Sequence, residues 1–131
     1  MGAQDTVHVV AAVVRRGDRY LVGRRPEAKR HGGLWEFPGG KVLEGESPFE
    51  AARRELAEEL ELTVVALGAH LLTVHDEGSP FVIEFFDTVA EGTPIAREHT
   101  DVGWFAAHEL LRLALAPADA RFVAQLERGS R

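Results

Sequence analysis

Residues 40–62 constrain the fold of this chain most strongly, because they predict a glycine-containing loop that leads into a well-capped helix. Ser47 followed by Glu50 is the capping-box pattern, and Pro48 falls at the first helical position, where a missing N–H costs nothing. Apolar side chains then recur every three or four residues, at Phe49, Ala52, Leu56 and Leu60. The sequence therefore predicts a helix over about residues 48–60 with one buried stripe.

Three carboxylates lie on this predicted helix at positions i, i+3 and i+4, namely Glu55, Glu58 and Glu59. These offsets bring the side chains towards one face, with Glu55 and Glu59 on a flank of the buried stripe and Glu58 further round. Clustered carboxylates repel one another unless a cation lies among them, and Mg²⁺ and Mn²⁺ prefer oxygen ligands. On these residues alone, a solvated acidic face remains an alternative, because exposed glutamate favours helix formation.

The loop and helix together resemble the Nudix box. This motif consists of a glycine, five residues, a glutamate, seven residues and then Arg-Glu-aliphatic-X-Glu-Glu-X-Gly-aliphatic. The matching positions are Gly40, Glu46, Arg54, Glu55, Leu56, Glu58, Glu59 and Leu62. Glu61 stands where the family has its last glycine, at a helix end where a left-handed conformation is easy for glycine and costly for glutamate. We interpret Glu61 as a change in how the helix ends, without loss of the metal-binding carboxylates.

The resemblance covers about residues 6–127 and is greatest to the MutT-like and CTP pyrophosphohydrolase branch of the family. Residues 33–41 resemble the segment that precedes the box in MutT-type nucleotide pyrophosphohydrolases, residues 24–25 the basic strand end, and residues 115–119 the turn that contacts the nucleoside. The family implies an α+β fold, an α/β/α sandwich around a mixed β-sheet. We expect residues 1–131 to form a single domain of this kind.

Metal-assisted hydrolysis of a diphosphate linkage is the activity that the resemblance implies, with Mg²⁺ or Mn²⁺ as the cofactor. The metal ligands that it implies are the carbonyl of Gly39 and the carboxylates of Glu55, Glu58, Glu59 and Glu98. The catalytic residues are expected among Glu55, Glu58 and Glu98. Either Glu55 or Glu98 could orient or deprotonate the attacking water.

The resemblance also implies a set of substrate contacts, which comprises Arg25, Trp35, Glu36, Phe37, Pro38, Gly39 and Asp119. Several of these have structural alternatives: Arg25 as a solvated strand end, the two aromatic residues as core, and Asp119 as a helix cap. Supporting roles fall to Gly40, Glu46 and Arg54. Arg54 is expected to buttress the glutamates by ion pairing, and Glu46 to hold the loop.

The composition agrees with the small intracellular enzyme that the resemblance implies, with 45% hydrophobic and 27% charged residues in a chain long enough for one core. The absence of cysteine excludes disulfides, thiolate catalysis and Cys-ligated zinc. We expect no membrane span and no secretory signal, and hence a cytoplasmic location. Residues 1–6 fit the loose myristoylation pattern, but we interpret them as a tail.

Charge is distributed unevenly within the net charge of −6. Residues 44–61 hold seven acidic and two basic residues, whereas residues 15–41 hold eight basic and three acidic residues. A basic segment before an acidic one suits a polyphosphate that metal ions bridge to carboxylates. The basic residues form no extended stripe, so we do not expect duplex nucleic acid as a partner.

The predicted substrate is therefore a nucleoside triphosphate, cleaved between the α and β phosphates, with an 8-oxo-dGTP diphosphatase that sanitises the nucleotide pool as the first interpretation. A CTP or modified-dCTP pyrophosphohydrolase and a broad housekeeping hydrolase are alternatives. A non-catalytic nucleotide sensor is a distant one, because such proteins usually lose box glutamates. Monomer and homodimer both remain open.

Periodicity and turn residues predict the remaining elements. Predicted strands cover residues 7–14, 20–24, 34–37, 63–75, 80–90 and 101–105. Residues 16–19 are predicted to form a hairpin turn, and residues 38–40 to end the strand at 34–37. Further helices are predicted at residues 108–113 and 118–128.

Overall fold

The computed structural model describes residues 6–129, so residues 1–5 of the myristoylation pattern lie outside the described residues. The strands in this part of the chain are β1 Val7–Arg16, β2 Arg19–Arg24, β3 Trp35–Glu36, β4 Gly39–Lys41, β5 Thr63–His75, β6 Phe81–Glu91 and β7 Asp101–Ala106. The helices are α1 Pro48–Leu60, α2 Ala107–Leu110 and α3 Pro117–Gly129. Within residues 6–129, no helix has the length and apolar character needed to cross a membrane.

Strand β1 lies at the centre of the mixed sheet. It pairs in parallel with β6, from Val7 opposite Phe81 to Val14 opposite Thr88. Its other edge is shared by two antiparallel strands, first β4 and then β2, which is joined to β1 by a tight hairpin. Strands β3 and β7 flank β2, and β5 pairs with β6 at the opposite end of the sheet.

The two faces of β1 pack against different helices. Ala11 and Val13 lie in a core cluster with Phe122 and Val123 of α3, whereas Ala12 and Val14 lie in a cluster with Leu56 and Leu60 of α1. A strand segment that is buried on both faces is apolar throughout, as residues 10–14 of β1 are. The α/β/α sandwich around a mixed sheet that the sequence predicted is therefore confirmed.

Residues 38–40 were predicted to interrupt strand structure. This is wrong in part, because Gly39 and Gly40 form β4 together with Lys41. A Cβ atom on Gly39 would lie 1.9 Å from the carbonyl oxygen of Val10, so only glycine lets this strand approach β1 so closely. The short helix after β7 also differs from the prediction. It begins at Ala107, where the Glu109 carboxylate accepts a hydrogen bond from the Ala106 N–H (2.7 Å), and it ends at Leu110.

Candidate active site

A cavity of about 350 Å³ opens between β1, β4, the loop after β2 and the start of α3. Its wall includes most of the residues that the sequence singled out, namely Arg25, Glu36, Phe37, Gly39, Gly40, Glu59, Glu98 and Asp119. The apolar part of the wall comes from Val9, Val10, Ala11, Phe81, Ile83 and residues 116–118. An apolar cleft with a few convergent polar groups is typical of a small-molecule site.

Helix α1 carries the three box glutamates, and Ser47 is its N-cap. The Ser47 hydroxyl accepts a hydrogen bond from the Glu50 N–H (3.1 Å), and the Glu50 carboxylate accepts one from the Ser47 N–H (2.9 Å). Exposure follows the helical wheel that the sequence predicted. Glu59 is 5% exposed, the Glu55 side chain 19% and the Glu58 side chain 49%. Glu59 therefore faces inwards and lines the cavity, whereas Glu55 and Glu58 are not among the residues that line it.

The Glu55 carboxylate lies against the backbone of β4. A Cβ atom on Gly40 would be 2.2 Å from Glu55 Oε2, so the absence of a side chain at residue 40 makes room for this carboxylate. Gly40 has no positive φ angle, and its role is therefore steric rather than conformational. The glycine of the box thus allows Glu55 to approach the strand that lines the cavity.

Arg54 holds the loop and the helix together. Its Nε and Nη2 atoms donate to the two carboxylate oxygens of Glu46 at 2.7 and 3.0 Å, and Nη1 donates to Glu55 Oε2 at 3.1 Å. The hydrogen bonds from Arg54 and from the Leu43 N–H lower the pKa of Glu46 to about 2. Arg54 also lies 3.7 Å from Glu58 Oε1 and so forms the ion pairs expected of a buttress.

Glu59 is the most unusual group in the cavity. Its Oε1 atom is buried and has no hydrogen-bond partner. Burial, a hydrogen bond with Glu55 and the negative charges of Glu55, Glu36 and Glu98 raise the pKa of Glu59 to about 10. A buried acceptor without a partner is costly, and a cation beside it would remove that cost.

Within residues 6–129, no three His, Asp or Glu side chains are arranged so that they could hold a metal ion as they stand. Glu55 is bonded to Arg54, and the Glu58 side chain is half exposed. The donor set is nevertheless suited to Mg²⁺ or Mn²⁺, because the free Oε1 of Glu59 and the carboxylate of Glu55 are hard oxygen ligands next to the open wall formed by Gly39 and Gly40. The residues present therefore fit a divalent cation.

Glu98 reaches the cavity from the loop between β6 and β7. This loop is bonded to the end of α1, because the N–H groups of Ile95 and Arg97 donate to the carbonyls of Leu60 and Glu59, both at 2.9 Å. These are carbonyls that a helix end leaves without intrahelical partners. The loop thereby places Glu98 close enough to Glu59 for its charge to raise the pKa of Glu59.

Glu61 adopts the left-handed conformation, with φ 58° and ψ 32°, at the C-cap of α1. The interpretation of Glu61 as a change in how the helix ends is wrong, because Glu61 adopts the left-handed conformation expected of the box glycine. The Glu61 carboxylate forms an ion pair with the guanidinium of Arg97, on the loop that carries Glu98. The helix therefore ends where the box glycine would end it, despite the cost of a positive φ for glutamate.

Arg25 lines the cavity, but its guanidinium is already engaged. Its Nη1 atom donates to both carboxylate oxygens of Glu36, at 3.1 and 3.2 Å, and its Nε atom donates to the Arg30 carbonyl at 2.6 Å. Glu36 is also bonded to His99, whose Nε2 atom lies 3.0 Å from Glu36 Oε2. His99 was not singled out from the sequence, and its position next to Glu98 was the one signal that could have suggested a role in the site.

Two of the predicted substrate contacts do not line the cavity. The Trp35 ring packs edge-on against Phe105, with 5.5 Å between ring centroids, which favours the core role that the sequence left open. The Pro38 carbonyl accepts a hydrogen bond from the Ala12 N–H (2.8 Å), so Pro38 serves the sheet. For Trp35 and Pro38, the prediction of substrate contact finds no support in the geometry.

Phe37 and Asp119 lie on the wall of the cavity and are bonded to each other. The Phe37 N–H donates to Asp119 Oδ1 at 2.8 Å, while the Phe37 ring is 3% exposed and packs edge-on against Phe85 and Phe122. Burial raises the pKa of Asp119 to about 8. Asp119 is the third residue of α3. Its hydrogen bond with Phe37 joins this helix to the segment before β4, which is a role beyond that of a helix cap.

The cavity is lined by exposed basic side chains as well as by the carboxylates of Glu59 and Glu98, which we call its acidic floor. The basic residues, which form the rim, are Lys29, Arg30 and Lys41. Arg30 forms an ion pair with Asp76 (3.0 Å), and both Arg30 and Lys41 lie over the Phe81 ring, at 5.5 and 5.7 Å from its centroid. The positive rim and the carboxylates below it would together suit a phosphate chain that is bridged to the floor by cations.

Comparison with known proteins identifies the class. A family model of the NUDIX domain matches residues 5–126. The chain therefore belongs to the NUDIX family, whose hydrolases generally use divalent metal cations.

Characterised relatives span nearly the whole chain. The CTP pyrophosphohydrolase of Escherichia coli strain K12 is 37% identical over 116 residues, which cover 86% of this chain and 85% of that protein. The 8-oxo-dGTP diphosphatase of Haemophilus influenzae is 36% identical over 126 residues, or 92% of this chain and 90% of that protein. The crystal structure of a MutT NUDIX hydrolase from Burkholderia pseudomallei is 28% identical and superposes with a TM-score of 0.81, over 93% of this chain and 98% of that one.

Proposed function

We propose that this protein is a Mg²⁺- or Mn²⁺-dependent pyrophosphohydrolase that cleaves nucleoside triphosphates between the α and β phosphates. The products would be a nucleoside monophosphate and pyrophosphate. The observation that carries the proposal is the unpartnered, buried Oε1 atom of Glu59 at the floor of a cavity with a basic rim. The complete set of box glutamates and the names of the relatives support the same activity.

Glu59 and Glu55 would hold the cation, and Glu58, Glu98 and the Gly39 carbonyl are further candidate ligands. When bound, divalent cations stabilise negative charge on phosphate oxygens and lower the pKa of a bound water. Arg54 would orient Glu55, to which it is bonded at 3.1 Å. Glu98 and Glu55 remain the two candidates for the carboxylate that orients or deprotonates the attacking water.

The apolar wall beside Phe37 would hold the base, and Asp119 would contact its polar edge. Asp119 Oδ1 accepts a hydrogen bond from the Phe37 N–H, and Oδ2 is the oxygen that would face the ligand. With a pKa of about 8, this carboxyl group holds a proton at neutral pH and could donate a hydrogen bond. Both purines and pyrimidines carry an acceptor that it could reach.

The preferred assignment is an enzyme of the 8-oxo-dGTP diphosphatase type that sanitises the nucleotide pool. By removing oxidised nucleotides before they enter DNA, it would act alongside DNA repair. The second candidate is a CTP or modified-dCTP pyrophosphohydrolase, and the relative from Escherichia coli favours it. A broad-specificity housekeeping hydrolase would use the same site. A cytoplasmic location and a monomeric or homodimeric state stay predictions.

A metal-dependent screen of canonical and oxidised nucleoside triphosphates, with pyrophosphate as the readout, tests this assignment. Preference for 8-oxo-dGTP would support the first candidate, and preference for CTP or a modified dCTP the second. Binding of nucleotides without hydrolysis in the presence of Mg²⁺ and Mn²⁺ would contradict catalysis and indicate a nucleotide sensor.

A further inference from the structure

His99 is the one buried histidine among residues 6–129, and its ring forms part of the cavity wall. Its side chain is 4% exposed, and Nε2 lies 3.0 Å from Glu36 Oε2. We infer that His99 is a positioning residue that fixes the carboxylate of Glu36 towards a bound nucleotide through this hydrogen bond. The inference rests on the proposed function, in which Glu36 contacts the substrate.

The surroundings of the ring decide which of its atoms carries a proton. Nδ1 of His99 is buried and has no hydrogen-bond partner. A proton on Nδ1 would be a buried donor without an acceptor, whereas a proton on Nε2 meets the carboxylate of Glu36. Nε2 is therefore the ring nitrogen that fits as a donor, and its acceptor is the carboxylate of Glu36.

Strand β2 leaves space for the ring at Gly23. A Cβ atom on Gly23 would lie 2.6 Å from His99 Cγ and 2.7 Å from Cδ2, so any side chain at residue 23 would displace the imidazole. Gly23 has no positive φ angle, and its backbone does not itself require glycine. This glycine therefore accommodates His99 sterically.

Glu36 is thus held from two sides by residues of different segments. Arg25 donates to both of its oxygens from the end of β2, and His99 donates from the loop that carries Glu98. That loop is bonded to the same strand end, because the Thr100 N–H donates to the Arg24 carbonyl at 2.9 Å. A carboxylate offers about four lone-pair positions, so Glu36 keeps acceptor capacity for a donor on the substrate.

The test is a double-mutant cycle on binding of nucleotides that cannot be cleaved between the α and β phosphates. The probes are the α,β-methylene analogues of dGTP and dCTP, with Mg²⁺ present. His99→Leu removes the donor and should weaken binding by about tenfold, the scale of a lost hydrogen bond to a charged group. In the Glu36→Ala background, the same change should weaken binding by less than about twofold.

Two further variants separate positioning from a general loss of structure. His99→Gln places an amide N–H near the position of Nε2 and should restore most of the affinity. Gly23→Ala leaves both polar partners in place but displaces the ring, and it should weaken binding as His99→Leu does. In steady state, His99→Leu should raise KM with kcat largely retained, since the reacting phosphates are bound elsewhere.

An NMR measurement of the His99 ring nitrogens tests the hydrogen bond without any nucleotide. The expected result is a proton on Nε2, and a change of the ring signals in Glu36→Ala. An Nε2 atom without a proton, or equal losses in both backgrounds of the cycle, would overturn the inference. If the wild-type protein bound neither analogue, the proposed function would fail. The NMR measurement would still show whether Nε2 of His99 donates to Glu36.

Discussion

Replacement of Glu59 by glutamine should destroy activity and at the same time stabilise the metal-free protein. In the folded protein the pKa of Glu59 is raised from 4.5 to about 10, because it is buried among other carboxylates. Between these two values, the unfolded chain has released the proton while the folded chain still holds it. The free energy of unfolding therefore falls as pH rises through this window, by about 1.4 kcal/mol per pH unit.

The magnitude can be worked out for a practical pH range. From pH 5.5 to 8.5, which lies within the window, the titration of Glu59 should cost the wild-type protein roughly 4 kcal/mol of stability. Glutamine does not titrate, so Glu59→Gln escapes this loss. Its amide would also find an acceptor in the Glu55 carboxylate, which is hydrogen-bonded to Glu59.

Denaturant unfolding with excess chelator, at several pH values, measures the effect. The advantage of Glu59→Gln over wild type should grow with pH, whereas Glu58→Gln, at a half-exposed position on the same helix, should follow the wild-type profile. Added Mg²⁺ should stabilise wild type and not Glu59→Gln, and kcat should fall by about 10² or more in this variant. A stability difference that does not change with pH would refute the reasoning.

Three further predictions concern single residues. Gly40→Ala should keep the fold but lower kcat by about tenfold or more, since a Cβ atom there would lie 2.2 Å from Glu55 Oε2; unchanged kinetics would contradict this. Asp119→Ala should raise KM, compress the preference among nucleotides and cost about 1–3 kcal/mol of stability by leaving the Phe37 N–H unpaired, whereas Asp119→Asn should retain the stability; an unchanged preference would leave Asp119 a structural role alone. Glu61→Gly should raise the unfolding free energy by about 0.5–1 kcal/mol through relief of its positive φ angle, unless loss of the Arg97 ion pair offsets the gain.

The sequence predicts the parts of this fold that depend on local patterns. Helix α1 begins at Pro48 and ends at Leu60 as predicted, because its capping box and its apolar spacing are contained within the helix itself. Strand β5 likewise covers residues 63–75 as predicted. The exposures of Glu55, Glu58 and Glu59 follow from helical geometry alone.

What the sequence does not reveal depends on partners that are distant along the chain. Strand β4 forms because the Gly39 backbone can approach Val10, and no local pattern encodes that pairing. The bond between Glu36 and His99 joins residues 63 positions apart, and the bond between Phe37 and Asp119 joins residues 82 positions apart. Contacts of this kind decide which polar residues are held in the cavity wall.

The central claim is metal-dependent cleavage between the α and β phosphates, and time-resolved ³¹P NMR tests it most directly. The protein would be stripped of metal and given the preferred nucleoside triphosphate, first with chelator and then with excess Mg²⁺, without added pyrophosphatase. The account predicts no turnover in chelator, followed by equal amounts of nucleoside monophosphate and pyrophosphate once Mg²⁺ is present. Full turnover in chelator, or orthophosphate as the first product, would contradict it.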